Sequence, residues 1–386
     1  MFVVTTLMLG GAELQVVRLA TELKARGGEV CVVSLADISY GMKARSLVSQ
    51  LETQHIAFHS LGMKPGIPDL RALFRLRKHI RDFCPDVVHC HMYHANILGR
   101  ITRLFCRIPV LICTAHNTVE ASRRGGPTWH KELLYRATDF LADHTTIICD
   151  AGFRRYVRVG AVPRNKLCMI PNGIDTDVFS HSEEERQRFR SALGIGTEFV
   201  WLAVGRLVKQ KDYPNLLRAL ELLPDKNFVV LVAGEGPLQG ELQGECDKRG
   251  LGGRVRFCGA RTDVRQFYNA ADAFVMSSEM EGMPLVLLEA ASMGLPAVVT
   301  DVGGNPEVVV DNVTGYVVPP ANPVLLAAAL QRVMHATPEQ RRNMSRAARQ
   351  HCVQRYRIAT VMKQWLNLYA AYMPVIEATY EPRTVA

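Results

Sequence analysis

Short apolar runs alternate with longer segments of helical periodicity along the whole chain. In the first half, each apolar run is bounded by charged or turn-forming residues, which predicts buried strands of a parallel sheet. The strands predicted there are residues 2–6, 29–34, 87–89, 110–114 and 145–149. After the first of them, Leu14, Val17, Leu19 and Leu23 predict an amphipathic helix that begins near Gly11.

The alternation restarts in the second half, where the predicted strands are residues 199–204, 228–233, 255–258, 273–276 and 297–300. Between the halves, residues 169–179 are rich in turn formers and are the best linker candidate. This pattern predicts two Rossmann-like parallel sheets, with the carboxyl ends of their strands lining a crevice. A final helical pattern, residues 353–372, follows the completed second sheet.

Length and composition agree with a two-domain globular protein. The chain has 386 residues, of which 48% are hydrophobic and 22% charged. No apolar run reaches the roughly 18 residues of a membrane span, and no basic region precedes the first strand, so neither a span nor a signal peptide is predicted. Cys31, Cys113 and Cys149 lie in apolar runs, which favours reduced thiols in a cytosolic protein.

Positive charge is concentrated in the first half. Residues 1–175 hold 23 Lys+Arg and 14 Asp+Glu, whereas residues 176–386 hold 23 of each. The densest segment is 71–81, whose predicted apolar side consists of Leu73, Phe74, Leu76 and Ile80. Such a helix can lie on an anionic membrane, although an ordinary solvated helix face explains the same pattern. Nucleic acid is not predicted as a partner, because no aromatic-interleaved basic groove or binding motif is present.

The most informative segment carries two glutamates eight positions apart. It is residues 278–290, Ser-Glu-Met-Glu-Gly-Met-Pro-Leu-Val-Leu-Leu-Glu-Ala. Pro284 is favoured in a first helical turn, so Glu281 is predicted just before a helix and Glu289 in its second turn. That helix N-terminus would present N–H groups to an anion, with the glutamates accepting from hydroxyls. A buried helix with acidic ends is the alternative that these residues leave open.

Two cations follow the first predicted strand of the second half. Arg206 comes directly after the strand, and Lys211 precedes the predicted helix 213–222. Both side chains can reach the same diphosphate. Two surface charges in a loop between a strand and a helix are the alternative.

Together these motifs resemble the retaining GT-B glycosyltransferases of family 4, the glycosyl transferases group 1. The resemblance runs from Gly-Gly-Ala-Glu at 10–13, through Pro-Asn-Gly-Ile-Asp at 171–175, to Gly-Gly-Asn-Pro-Glu at 303–307. It implies an α/β protein with the GT-B fold: two Rossmann-like domains facing across a crevice and a C-terminal helix crossing back to the first. The expected bounds are 1–170 for the acceptor-side domain, 171–180 for the linker, 181–352 for the nucleotide-sugar domain and 353–386 for the crossover helix and tail.

The resemblance also implies a set of roles. A sugar would move, with retention, from a nucleotide-diphosphate sugar to a glycan or lipid-linked glycan, in bacterial surface or exopolysaccharide synthesis such as that of lipopolysaccharide. The expected catalytic residues are His116, which would contact the sugar, and Glu281, Arg206 and Lys211. The expected donor-binding residues are Gly205, Arg206, Lys211, Gly236, Arg261, Glu281, Gly282, Met283, Pro284, Leu285 and Glu289. The expected acceptor-side residues are Gly10, Gly11 and Glu13, of which Glu13 has a turn-capping role as its alternative.

Metal and dinucleotide chemistry are not predicted. His89 and His91 alternate on a strand end and share one face, but no third ligand is evident, so packing or lining roles are expected. Asp175 and Asp177 form an Asp-x-Asp pair inside the linker motif, where the resemblance argues against a metal. The glycines around Gly236 do not have the spacing of a dinucleotide-binding loop. We therefore expect no metal and no cofactor.

The expected location is the cytoplasm, with peripheral attachment at the inner face of the plasma membrane. Two other functions remain open. A nucleotide-sugar 2-epimerase of the same fold would convert donor in the absence of acceptor. A non-catalytic module that binds nucleotide sugars or anionic lipid would have no need for both the cationic and the acidic pair.

Overall fold

The computed structural model describes residues 1–7, 10–37, 42–64, 69–118, 129–261 and 263–372. The chain forms two compact units, one made of residues 1–172 with the segment from Val361 onward, the other of residues 173–360. Each unit is built on a parallel sheet interleaved with helices, so the α/β prediction is confirmed. Among the described residues, no helix is long and apolar enough to cross a membrane.

The first unit has a parallel sheet in the order β3-β2-β1-β4-β5-β6-β7. Its strands are β1 (Phe2–Val4), β2 (Cys31–Ala36), β3 (Ala57–Met63), β4 (Val87–His91), β5 (Val110–Ala115), β6 (His144–Ile147) and β7 (Leu167–Met169). Its helices are α1 (Gly11–Ala25), α2 (Met42–Thr53), α3 (Arg71–Phe83), α4 (Tyr93–Thr102), α5 (Trp129–Thr138) and α6 (Asp150–Arg158). The pattern missed β3, an edge strand that is partly exposed and interrupted by polar residues, and β7, whose three residues lead directly into the turn-rich segment.

The second unit has a parallel sheet in the order β10-β9-β8-β11-β12-β13. Its strands are β8 (Phe199–Val204), β9 (Phe228–Ala233), β10 (Val255–Gly259), β11 (Ala273–Met276), β12 (Ala297–Thr300) and β13 (Gly315–Val318). Its helices are α7 (Glu183–Ala192), α8 (Tyr213–Leu222), α9 (Gln239–Lys248), α10 (Arg265–Ala270), α11 (Leu285–Ser292), α12 (Asn305–Val308), α13 (Pro323–Met334) and α14 (Pro338–Tyr356). The pattern missed β13, which is short and opens on a glycine.

The final helical pattern is interrupted, which corrects the prediction of one continuous segment over 353–372. Helix α14 ends at Tyr356, and a further helix, α15 (Ile358–Ala370), begins after Arg357. The break arises because Ile174 N donates to Tyr356 O at 2.8 Å and Ile358 N donates to Ile174 O at 2.8 Å. These bonds replace helical ones, so the chain passes Arg357 as an extended residue.

The C-terminal segment returns to the first unit, as predicted. Leu368, Tyr369 and Tyr372 pack against the buried side chains of Val110 and Ile112 on β5. The segment therefore covers part of the first sheet. The tail expected after residue 372 lies outside the described residues.

Helix α3 buries only part of the predicted apolar side, namely Leu76 and Ile80. Its buried residues are Ala72, Leu76 and Ile80, whereas Phe74 is 62% exposed. The assignment of Phe74 to the packed side was wrong, because the buried stripe follows i, i+4, i+8 from Ala72 and leaves Phe74 on the opposite face. Helical periodicity located the helix, but the exact width of its buried stripe depends on its tertiary neighbours.

The cysteines follow the sequence prediction. All ten are free thiols, and Cys31, Cys113 and Cys149 are buried. Burial raises the pKa of the Cys113 thiol, so this group stays protonated near neutral pH.

Candidate functional site

The candidate site in the second unit begins where β8 ends. Gly205 and Arg206 follow the strand, and a single 3₁₀ turn, Lys209–Lys211, leads into α8. Asp212 stands at the helix N-cap with φ 43°, and its carboxylate accepts from Asn215 N at 3.2 Å. The Arg206 side chain is exposed and makes no ion pair or side-chain hydrogen bond within the described residues. Its guanidinium can therefore reach an incoming anion.

The second element of the site follows β11, the neighbour of β8 in the sheet. Residues 277–284 form a loop, and α11 begins at Leu285. Pro284 was predicted inside the first turn but stands at the N-cap, because its ψ of 124° is extended. Glu281 precedes this terminus and is only 6% exposed. Glu289 lies in the second turn, as predicted.

The structure joins the cationic and acidic motifs. Lys211 Nζ lies 2.5 Å from Glu281 Oε1. The same carboxylate oxygen accepts from Ser278 Oγ at 2.6 Å, and Ser278 O accepts from Thr300 Oγ1 at 2.6 Å. Glu281 is thus fixed from both sides, with a cation on one and a buried hydroxyl on the other.

Further hydrogen bonds fasten the two loops to each other. Gln210 Nε2 donates to Met280 O at 2.7 Å, and Glu279 N donates to Gln210 O at 2.9 Å. Ser277 Oγ donates to Asp212 O at 2.9 Å. The loop that carries Lys211 and the loop that carries Glu281 are therefore held as one unit.

A glycine pair outside the predicted site set completes this arrangement. Gly303 has φ 55°, and a Cβ added there would lie 2.2 Å from Glu281 O. Gly304 N donates to Gly282 O at 2.6 Å. Only a residue without a side chain at position 303 allows this approach, so Gly303 shapes the backbone at Glu281. The sequence contains the glycine motif at 303–307, but it gives no indication that this motif contacts the Glu281 backbone.

Glu289 has a partner that the sequence did not indicate. Its side chain is 4% exposed, and Tyr268 Oη donates to Glu289 Oε2 at 2.9 Å. Burial, reinforced by the Glu289 charge, raises the pKa of Tyr268 well above its usual value. Tyr268 is therefore a neutral donor that fixes the Glu289 carboxylate.

The glycines after β9 have a packing role in this structure. A Cβ at Gly236 would lie 2.3 Å from Leu207 O, and one at Gly234 would lie 1.9 Å from Gly205 O. These residues let the loops after β8 and β9 touch through their backbones. The predicted donor residue Arg261 is exposed, with its guanidinium 5.8 Å from the centre of the Phe267 ring.

The predicted acceptor-side residues lie in the first unit, at the start of α1. Gly10 is the N-cap residue and Gly11 the first residue of the helix. Glu13 accepts from Thr6 Oγ1 at 2.7 Å, and a Cβ at Gly10 would lie 2.5 Å from Glu13 Oε2. The Glu13 carboxylate therefore lies against the turn at Gly10 and accepts from the Thr6 hydroxyl.

His116 lies just after β5 in the first unit and is 7% exposed. Its Nε2 lies 2.9 Å from His91 Nδ1, and burial lowers the pKa of His116 to about 4. His89 and His91 share one face as predicted, with ring centroids 4.0 Å apart. His89 is packed against Trp365, at a centroid distance of 4.8 Å, and lies 2.8 Å from Tyr369 Oη. No group of three potential metal ligands is found in the described part of the chain.

The Asp-x-Asp pair has local partners. Asp175 Oδ1 accepts from Asp177 N and Val178 N, each at 3.0 Å. Asp177 Oδ2 lies 2.8 Å from Arg357 Nη2. These contacts stabilise the turn at 175–178 and join it to the break between α14 and α15.

Comparison with known proteins identifies the family. The family described as Glycosyltransferase Family 4 matches residues 9–178, and the one described as Glycosyl transferases group 1 matches residues 185–351. A UDP-Gal:alpha-D-GlcNAc-diphosphoundecaprenol alpha-1,3-galactosyltransferase of Escherichia coli is 30% identical over 65% of this chain and 67% of its own length. A D-inositol 3-phosphate glycosyltransferase of Actinosynnema mirum is 30% identical over 84% of each chain.

A solved structure shares the fold. Anabaena Alr3699/HepE, crystallised in complex with UDP, superposes with a TM-score of 0.83 at 21% identity, covering 96% of this chain and 99% of its own. The two parallel sheets and this match agree with the predicted GT-B architecture. The chain therefore belongs to the family 4 glycosyltransferases, the glycosyl transferases group 1.

Proposed function

We propose that this glycosyltransferase moves a sugar, with retention, from a nucleotide-diphosphate sugar to a lipid-linked glycan. The observation that carries the proposal is the Lys211–Glu281 contact at the ends of β8 and β11, with the exposed Arg206 on the same loop as Lys211. This places two cations on one loop, beside a helix N-terminus, where a diphosphate is stabilised by charge and by N–H groups. The pathway we propose is bacterial surface polysaccharide synthesis.

The proposed roles follow from the contacts. Arg206 and Lys211 neutralise the diphosphate as the bond to the sugar breaks. Glu281 holds Lys211 in place and, with the N–H groups at the start of α11, contacts the sugar and the distal phosphate. Glu289, fixed by Tyr268, accepts from the ribose hydroxyls. Attack from the face that the diphosphate leaves retains the configuration.

The names of the relatives support a nucleotide-sugar donor and give two candidate acceptors. The Escherichia coli relative is named for a UDP-sugar and a diphosphoundecaprenol-linked acceptor. The Actinosynnema mirum relative is named for an inositol phosphate, which is not lipid-linked. We choose the lipid-linked acceptor because the first unit carries the excess of positive charge and an exposed basic helix face.

That helix face is on α3. Phe74 is 62% exposed and Leu70, one turn earlier, is 86% exposed, while Arg71, Lys78 and Arg81 are exposed cations. Exposed apolar side chains between exposed cations suit the interface of an anionic bilayer. We propose that α3 attaches the enzyme reversibly to the inner face of the plasma membrane, where a lipid-linked acceptor resides.

The test is a matrix of donors and acceptors. Purified enzyme is incubated with UDP-, GDP- or ADP-sugars and with undecaprenyl-diphosphate-linked N-acetylglucosamine, D-inositol 3-phosphate or no acceptor. Transfer to the undecaprenyl compound, with the anomeric configuration of the donor kept in the product, is expected. Inversion at that carbon, or transfer to inositol phosphate alone, would contradict the proposal. Epimerised donor without acceptor would establish the 2-epimerase instead.

A further inference from the structure

Two buried imidazoles in the first unit form a hydrogen-bonded pair. His91 ends β4, His116 follows β5, and His91 Nδ1 lies 2.9 Å from His116 Nε2. The other two ring nitrogens, His91 Nε2 and His116 Nδ1, are buried and have no hydrogen-bond partner among the described residues. The pair therefore has one internal hydrogen bond and two ring nitrogens that make none within the described residues.

Both rings are neutral near pH 7. Burial lowers the pKa of His91 well below its usual value and that of His116 to about 4. A neutral imidazole has one N–H donor and one acceptor nitrogen. One bond between two neutral rings therefore couples their tautomers. If His91 donates, His116 carries its hydrogen on Nδ1; if His116 donates, its Nδ1 is a bare acceptor.

We propose that His91 is a positioning residue that determines whether Nδ1 of His116 donates or accepts a hydrogen bond. The inference adds to the proposed function the role that the family resemblance implies for His116, which is contact with the transferred sugar. A sugar hydroxyl can donate or accept a hydrogen bond. The presence or absence of a proton on Nδ1 of His116 therefore decides how that hydroxyl is oriented. His91 acts on the sugar only through His116.

The surroundings keep the His91 ring in place. It contacts the His89 ring, with centroids 4.0 Å apart, and the Phe2 ring, with centroids 5.7 Å apart, and those two rings also contact each other at 5.5 Å. His89 uses both of its own nitrogens, at 2.8 Å from Tyr369 Oη and 2.7 Å from Thr114 Oγ1. His89 therefore supports the pair by packing against the His91 ring and does not compete for its hydrogen bond.

The test compares two nearly isosteric variants, His91→Asn and His91→Leu. An asparagine amide places a polar atom where Nδ1 of the imidazole lies, and leucine does not. The readout is the ¹⁵N chemical shifts of the His116 ring nitrogens, assigned with His116→Asn and recorded without substrate. We expect His91→Leu to change the tautomer ratio of His116 by roughly 3- to 10-fold, the equivalent of one net hydrogen bond. His91→Asn should keep one dominant tautomer and a higher kcat for transfer than His91→Leu.

Tyr369→Phe is the matched control, because it removes a hydrogen bond from His89 in the same buried cluster without touching the pair. The His116 shifts should not move in this variant. Unchanged His116 shifts in His91→Leu would overturn the proposal, and so would equal changes in His91→Leu and Tyr369→Phe, which would indicate a general packing effect.

The wild-type protein provides a test that does not depend on a variant folding. A scalar coupling across the hydrogen bond between His91 Nδ1 and His116 Nε2 is expected, with one of the two unused nitrogens protonated and the other bare. Absence of the coupling, or protons on both unused nitrogens, would overturn the proposal. Full transfer by His116→Ala would contradict the role of His116 at the sugar, while the NMR result still decides whether His91 sets its tautomer.

Discussion

Lys211 and Glu281, seventy residues apart in sequence, lie with Nζ and Oε1 2.5 Å apart in the second unit. Their side chains are 16% and 7% exposed, so the pair is largely removed from water. Removal of one member of such a pair leaves the other charge buried and uncompensated, which is costly. The same two charged side chains therefore stabilise the site and are proposed to take part in its chemistry.

The first prediction concerns Gly303. Gly303→Ala places a Cβ 2.2 Å from Glu281 O at a φ of 55°, so it combines backbone strain with a clash. We expect loss of transfer and destabilisation clearly greater than the roughly 1–2 kcal/mol of left-handed strain alone. Chemical denaturation and a transfer assay measure the two effects.

Gly194 supplies the matched control for that substitution. It has φ 61° but no atom within 4 Å of an added Cβ, so Gly194→Ala tests strain without a clash. This variant should lose only about 1–2 kcal/mol and keep its activity. Equal effects at the two glycines would show that Gly303 does not shape the Glu281 backbone.

The second prediction is a loss of stability in mild acid. Below pH 6.5 an unfolded histidine binds a proton, whereas His116 stays neutral in the folded protein until its pKa of about 4. Stability rises with pH where the unfolded state binds more protons, so it falls as the pH drops from 6.5 to 4, by up to about 3 kcal/mol for His116 alone. His89 and His91, whose pKa values burial also lowers, add to the loss.

Urea unfolding at several pH values measures this effect. The difference between wild type and His116→Asn isolates one histidine, because the carboxylates that titrate in the same range are common to both. The variant should lose less stability per pH unit, by up to about 1.4 kcal/mol. Parallel curves for the two proteins would mean that His116 is protonated in the folded state.

The third prediction concerns membrane attachment by α3. Each basic residue near an anionic surface contributes about 1 kcal/mol, so the triple change of Arg71, Lys78 and Arg81 to Gln should weaken vesicle binding roughly 100-fold. Sedimentation with anionic vesicles at low and high salt is the measurement. The control changes three exposed arginines of the second unit to Gln, namely Arg188, Arg342 and Arg346. Equal loss in both triple variants, or binding to neutral vesicles, would contradict attachment through α3.

The fourth prediction is that transfer needs no divalent ion. Asp175 and Asp177 are engaged by backbone N–H groups and by Arg357, and two cationic side chains stand at the proposed diphosphate position. Activity should persist in excess EDTA. Activity that disappears in EDTA and returns with Mn²⁺ or Mg²⁺ would contradict this prediction, because it would require metal ligands at the site.

Sequence pattern was most reliable for the buried central strands. The bounds of β8, β9, β11 and β12 were predicted as observed, because strands buried on both faces form clear apolar runs. The edge strand β3 and the break at Arg357 were missed, since a partly exposed strand lacks that contrast and the break depends on a bond to Ile174. Local sequence does not encode which segments meet across the fold.

The same limit applies to the site. The motifs around Arg206 and Glu281 were recognised separately, but the Lys211–Glu281 contact depends on β8 and β11 lying side by side. Tyr268 and Gly303 were not predicted as site residues, because each acts through a neighbour that is distant in sequence. A buried tyrosine beside a carboxylate carries no sequence signature of its own.

The turnover of Arg206→Ala tests the proposed diphosphate site most directly. Arg206 is exposed and has no partner within the described residues, so its loss should leave stability unchanged, unlike that of Lys211. Lys209→Ala, an exposed lysine of the same loop, is the control and should retain activity. We predict that Arg206→Ala lowers kcat/KM by roughly 30- to 1,000-fold, equivalent to about 2–4 kcal/mol of transition-state stabilisation. A folded Arg206→Ala enzyme with the turnover of wild type would contradict the assignment.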